Sequence, residues 1–288
     1  MYRSIKNHIP AFKVNMGGML IDQALPSASL DQIDPFLLLH HAKNYMEPGG
    51  HPRDHGVGPH PHRGFSPVTF VLQGEVRHQD SRGNISEVGA GGVQWMHSGM
   101  GIIHSERPSE KFLEQGGYFE IVQLWINSPQ AHKMDQPVYQ ALQSEDIPVH
   151  NTESGSVVKV VAGKYSGVKS SMKTLTPMDV LDINLKMKDS IEVNADANYN
   201  SFVYIIEGGV RINDSKTYFT KDLVSFNHDS DLIKLEATAD ARILYLAGEA
   251  LNEPKASHGP FVMNNQTEIM EALRDYQIGK MGMLVEEF

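Results

Sequence analysis

The chain has 288 residues, 40% of them hydrophobic, which is enough for two ordinary domains of ~100–150 residues, each with its own core. Acidic residues outnumber basic ones 35 to 25, and this net charge of −10, with no basic block, disfavours direct binding to nucleic acid or an anionic membrane. Cysteine is absent, which excludes disulfides, zinc–thiolate clusters, iron–sulfur ligation and a cysteine nucleophile, so any metal must be held by imidazole and oxygen.

The start of the chain, Met1 to Lys6, lacks the apolar stretch of a signal peptide, and no apolar run approaches the ~20 residues that span a bilayer. A cytoplasmic protein is the expectation. Next comes a crowd of histidines. Nine of the 14 (His40, His41, His51, His55, His60, His62, His78, His97, His104) fall between residues 40 and 104. Short alternating or apolar runs broken by Gly, Asn, Asp and Pro then predict an all-β protein. Val68–Leu72 reads as a strand stopped by Gly74, and 75–80 as its partner before a turn at Ser81-Arg82-Gly83-Asn84. Residues 93–96, 119–126 and 157–161 are further strands. After the polar stretch His150 to Gly155 a second series follows at 180–187, 202–206, 210–213, 223–226, 233–236 and 243–246. Residues 266–276, with Ile269, Met270 and Leu273 as an apolar stripe, predict a short helix on the outside of a barrel. The two halves also look alike. Setting Gly74 against Gly208 places His60 opposite Asn194 and His62 opposite Asp196, so a repeated fold would keep paired histidines only in its first copy.

His60-Pro61-His62 sets two imidazoles at i and i+2, which on a strand point to one face roughly 7 Å apart. His104-Ser105-Glu106 repeats the spacing with an imidazole and a carboxylate. Two neighbouring strands carrying these pairs could aim three nitrogens and one oxygen at one point. Such borderline donors suit Fe(II), and also Mn, Co, Ni, Cu or Zn; four protein ligands on an octahedral ion leave two positions open, as in a catalytic rather than a closed structural site. Pro61 is tolerable at a strand start or a sheet edge. His51 and His55 read as a solvated loop and His78 as part of a turn. His97 is a candidate for a hydrogen bond near the site, and Trp95, Met96 and Trp125 are candidate core.

His60-Pro61-His62-Arg63-Gly64-Phe65, Gln94-Trp95-Met96, Gly101-Ile102-Ile103-His104-Ser105-Glu106 and, near the other end, Gly259 to Asn264 with Arg274-Asp275-Tyr276-Gln277 together resemble the signatures of the pirin family in the cupin superfamily. The resemblance implies a bicupin, two tandem jelly-roll β-barrels with a short C-terminal helix. We expect a metal-bearing barrel over residues 1–148 and a second barrel without metal, plus the helix, over 149–288. It implies the ligands His60, His62, His104 and Glu106, usually with iron. It further implies quercetinase-like oxidative opening of a flavonol ring by dioxygen, with Glu106 as the acceptor of the hydroxyl proton, or alternatively a metal-dependent, redox-sensing regulator acting through protein partners. The expected partners are a small oxygenated aromatic substrate and dioxygen, and the expected state is a monomer. Ser66-Pro67 and His97 depart from the usual pattern, and neither position matches a ligand.

Overall fold

The computed structural model describes residues 1–16 and 19–288. The chain separates into two compact units, 36–146 with 252–288, and 1–35 with 147–251. We call them the first and second barrel. These units are interleaved in sequence, unlike the expected consecutive halves 1–148 and 149–288. Ile5–Pro10 pairs antiparallel with Asp222–Phe226, so the N-terminal strand belongs to the second barrel. The C-terminal helix Gln266–Gln277 belongs to the first, where Asp275 is ion-paired to Arg63 at 3.1 Å. That pair is buried on both sides, and breaking it would leave the Arg63 guanidinium without its carboxylate, which holds the helix on the first barrel.

In the first barrel a four-stranded antiparallel sheet runs in the order Val57–His62, Ile102–Pro108, Glu75–Asp80, Ile85–Gly89. It faces a larger sheet containing, in order, Val138–Leu142, Val93–His97, Phe65–Gln73, Gly117–Asn127 and Phe36–Met46. Phe65–Gln73 is buried at all positions but its last, as expected of a central strand covered on both faces. It ends at Gly74, whose φ of +82° a side chain would resist. Val57–His62 contains Pro59 and Pro61 and lies at the edge of its sheet, where missing backbone donors break no ladder.

The second barrel repeats this order. Ser190–Asn194, Leu232–Ala237, Gly209–Ile212 and Thr217–Phe219 form the small sheet; Asp222–Phe226, Tyr199–Glu207, Ala241–Glu249 and Met178–Leu185 are consecutive in the large one. The all-β bicupin architecture is thus present, and each predicted strand falls within or beside an observed one. Outside the sequence reading lay the strands before residue 57, several short ones such as Ile85–Gly89, Val138–Leu142, Ser190–Asn194 and Thr217–Phe219, the short helix Glu110–Gln115 capped by Ser109, and the outward placement of Met270. The helix instead buries Ile269 and Ala272. Among the described residues no helix is long and apolar enough to cross a membrane.

Two contacts fix the loops beside the histidines. The Lys133 ammonium, buried, donates to the carbonyls of Gly64 and Val262 and to Asn127 Oδ1. At Gly64, φ is +85° and a Cβ would collide with the Val262 carbonyl, so only glycine lets these segments approach.

Candidate metal centre

The two i, i+2 pairs stand on adjacent antiparallel strands, with His104 directly opposite His60 and Ile102 opposite His62. Between His104 and Glu106 the register slips, so that Glu106 faces Val57 and the edge strand carries one extra residue. Such a bulge twists the strand and re-aims its side chains. The result gathers His60, His62 and His104: one ring nitrogen from each lies within 4.8 Å of the other two. His62 and His104 are buried and His60 partly so. Burial pushes the His62 and His104 imidazoles well below the usual histidine range, and the neighbouring imidazoles push the same way. They therefore stand neutral at pH 7, as metal ligands must.

The outer ring nitrogens decide which inner ones are bare. His60 Nδ1 lies 2.8 Å from the Gly58 carbonyl and His62 Nδ1 lies 3.4 Å from the Pro260 carbonyl. A carbonyl only accepts, so each Nδ1 carries the hydrogen and each Nε2 presents a lone pair. These two Nε2 atoms are 3.0 Å apart, and the buried His104 Nε2 has no hydrogen-bond partner. Lone pairs converging at that distance repel unless a cation sits among them. The residues therefore fit a divalent metal, and the donor set favours a transition ion over calcium.

Glu106 stands outside the group of three. Its carboxylate, buried, accepts from Thr69 Oγ1 at 2.7 Å and from the Gln94 amide at one oxygen, and from Gln123 Nε2 at 2.7 Å at the other. A carboxylate has about four lone-pair sites, so roughly one is left, on the Oε2 that accepts only from Gln123. Thr69, Gln94 and Gln123 were missed by sequence reasoning. Their signal is a lone polar residue inside an apolar strand: Val68-Thr69-Phe70, Val93-Gln94-Trp95 and Val122-Gln123-Leu124.

His78 is also placed differently from expectation. It lies within the strand Glu75–Asp80, fully buried, with Nδ1 3.4 Å from His104 Nδ1 and Nε2 3.0 Å from Asp80 Oδ2. His97 faces Ser128 instead, and His51 packs its ring against Phe288. Trp125, expected in the core, is half-buried, stacks near Phe65 and sits edge-on to His62 at 5.4 Å between ring centroids.

Residues 18–126 match the pirin family model, and residues 180–282 match the pirin C-terminal cupin domain. The chain belongs to the pirin family. A Pseudomonas aeruginosa protein that carries a provisional quercetin 2,3-dioxygenase name is 39% identical over 249 residues, 86% of each chain. The crystal structure of quercetin 2,3-dioxygenase from Acinetobacter baumannii superimposes with a TM-score of 0.92 at 36% identity, covering 99% of this chain and 100% of that one. A bacterial pirin from Escherichia coli, solved in complex with nickel(II), shares the fold with a TM-score of 0.67 at 21% identity, over 85% of this chain and 98% of that one.

Strand register aligns the two barrels residue by residue. Gly74 and Gly208 end equivalent strands, and Arg77 pairs with Arg107 where Arg211 pairs with Glu236. Stepping back along the strand, Glu106 corresponds to Leu235 and His104 to Ile233. Across the ladder, His60 faces His104 and Val193 faces Ile233, so His60 corresponds to Val193 and His62 to Ala195. The expected counterparts Asn194 and Asp196 are each one residue off, because the connection to the next strand is one residue longer in the second barrel, 196–198 against 63–64.

Proposed function

We propose that the first barrel binds one divalent transition metal through His60, His62 and His104, with Glu106 as the adjoining carboxylate ligand, and that the protein is a quercetinase-like oxygenase opening a flavonol ring with dioxygen. The carrying observation is the convergence of three imidazoles, with the outer nitrogens of His60 and His62 committed to backbone carbonyls. The 36% identity and TM-score of 0.92 to a quercetin 2,3-dioxygenase support the reaction class. When bound, the metal supplies a positive charge that stabilises a deprotonated substrate hydroxyl and a centre for dioxygen chemistry.

The chain supplies the rest. His60, His62 and His104 hold their geometry through outer hydrogen bonds. Glu106 Oε2 has one free lone pair, so the carboxylate that would adjoin the metal at rest is the group released to take the flavonol hydroxyl proton when substrate binds, while Thr69 and Gln94 fix the opposite oxygen. The partly exposed Trp125, edge-on to His62, offers an aromatic wall for a planar substrate. The test is anaerobic loading with Fe(II), Ni(II) and the neighbouring divalent ions, followed by aerobic incubation with quercetin. Loss of flavonol absorbance with release of carbon monoxide is expected. No turnover with any of these metals contradicts the oxygenase reading.

A further inference from the structure

Each of the three histidines needs something outside the cluster to hold its ring. For His60 and His62 that partner is a backbone carbonyl, which no side-chain change can remove. For His104 the partner is another side chain, His78, and behind it Asp80. We infer that Asp80 and His78 form a relay that sets the tautomer and ring plane of His104, making His78 a positioning residue for the metal; this rests on the metal reading above.

The assignment follows from which groups can donate. Asp80 accepts from Arg82 N at 2.8 Å, Asn84 N at 3.1 Å and Asn84 Nδ2 at 2.8 Å, so it is an ionised carboxylate with acceptors only. His78 Nε2, 3.0 Å away, must then carry the hydrogen and donate. The remaining His78 nitrogen, Nδ1, presents a lone pair. Among the described residues, His104 Nδ1, 3.4 Å from it, is the donor that satisfies that contact, so His104 is hydrogenated at Nδ1. Its Nε2 is therefore bare, and that is the buried atom without a partner. The relay gives His104 the same tautomer that the carbonyls of Gly58 and Pro260 give His60 and His62.

The positions of the two rings reinforce this. His78 lies flat against Tyr139, with centroids 4.1 Å apart and planes 15° apart, and Tyr139 in turn donates from its hydroxyl to Gln94 Oε1. The stack clamps the His78 plane, and the same tyrosine orients the amide that donates to Glu106. Strand pairing puts His104 opposite Asp80 and Glu106 opposite His78, so relay and ligands alternate across one ladder. The second barrel has Ile212 at the position of His78, beside Ile233 at the position of His104, so relay and ligand are absent there together.

The first measurement needs no variant. In protein labelled with 15N at histidine, long-range 15N–1H spectra of the metal-free and zinc-loaded forms report which ring nitrogen carries hydrogen. We expect His104 hydrogenated at Nδ1 and His78 at Nε2 in both forms. Hydrogen on His104 Nε2 or on His78 Nδ1 in the metal-free protein overturns the relay. The second measurement is zinc affinity by chelator competition. His78→Phe keeps the ring stacked on Tyr139 but removes the acceptor, and should weaken binding roughly 10–100-fold; His78→Gln, whose amide oxygen can accept from His104, should recover part of that loss. Wild-type affinity in His78→Phe overturns the inference. Should that variant fail to fold, the ring spectra of the wild type still decide. A wild-type protein that takes up no zinc would defeat the metal reading, while the metal-free spectra would still test the relay separately.

Discussion

The two barrels place opposite chemistry on one strand order. Where the first has His60, His62, His78, His104 and Glu106, the second has Val193, Ala195, Ile212, Ile233 and Leu235, all members of one continuous aliphatic core. The donors around Glu106 change with it. Thr69, Gln94 and Gln123 are neighbours across three strands, and register gives Val203, Val224 and Tyr245 as their counterparts. A buried polar pair also recurs with the carboxylate on the other strand: His41 with Glu120 in the first barrel, Asp182 with Arg242 in the second. The backbone tolerates either filling. What differs is whether the interior is closed by apolar packing, which stabilises by itself, or by polar groups that need every partner in place.

The sharpest way to break this contrast is to exchange fillings. Ile233→His should destabilise the second barrel by about 3–5 kcal/mol, because it removes aliphatic packing and buries an imidazole without partners. The reciprocal His104→Ile removes an unpartnered Nε2 and adds apolar packing but leaves His78 Nδ1 unpaired, so it should cost about 1–2 kcal/mol in the metal-free protein while abolishing metal uptake. Urea denaturation of the metal-free proteins measures both, and equal losses would show that the two interiors do not differ in this way.

Next in size is Glu120. Burial would raise its carboxyl, but His41 and Lys43 outweigh that and hold it near 2, below the ordinary 4.5. The folded value lies below the unfolded one, so this stabilisation is complete above pH 4.5 and is lost as pH falls towards 2. Glu120→Gln should cost roughly 2 kcal/mol at pH 7 and distinctly less at pH 3, read from denaturation midpoints at the two pH values. A difference that does not shrink on acidification would remove this ion pair from the account.

The smallest effect is expected at Tyr245, whose hydroxyl is buried in the second barrel without a partner among the described residues. Tyr245→Phe should raise stability by about 1 kcal/mol, measured as a higher melting temperature. A loss of stability would mean that the hydroxyl is satisfied, and that the second interior is less uniformly apolar than its counterpart positions indicate.

Much of this was legible from the chain, for identifiable reasons. The strands show because alternation and turn residues are local signals, and the histidine triad shows because i, i+2 spacing on a strand fixes the facing of both side chains. The partners of Glu106 and the place of His78 were not legible. Thr69, Gln94, Gln123 and His78 come together only through strand order, which no local pattern encodes. His78 was read as a turn residue because it precedes Asp80-Ser81-Arg82-Gly83, yet the turn starts after it. The exchange of chain ends was hidden for the same reason, as the partner of Ile5–Pro10 lies more than 200 residues away. The one-residue offset at Asn194 and Asp196 comes from a connection one residue longer in the second barrel, a length change that no local pattern marks.

Elemental analysis of the purified protein beside His62→Ala tests the central claim most directly. About one equivalent of a divalent transition metal per chain is expected in the wild type, and a trace in the variant. Wild-type protein that stays metal-free after reconstitution, or His62→Ala that retains the full equivalent, would contradict a metal centre built on these imidazoles.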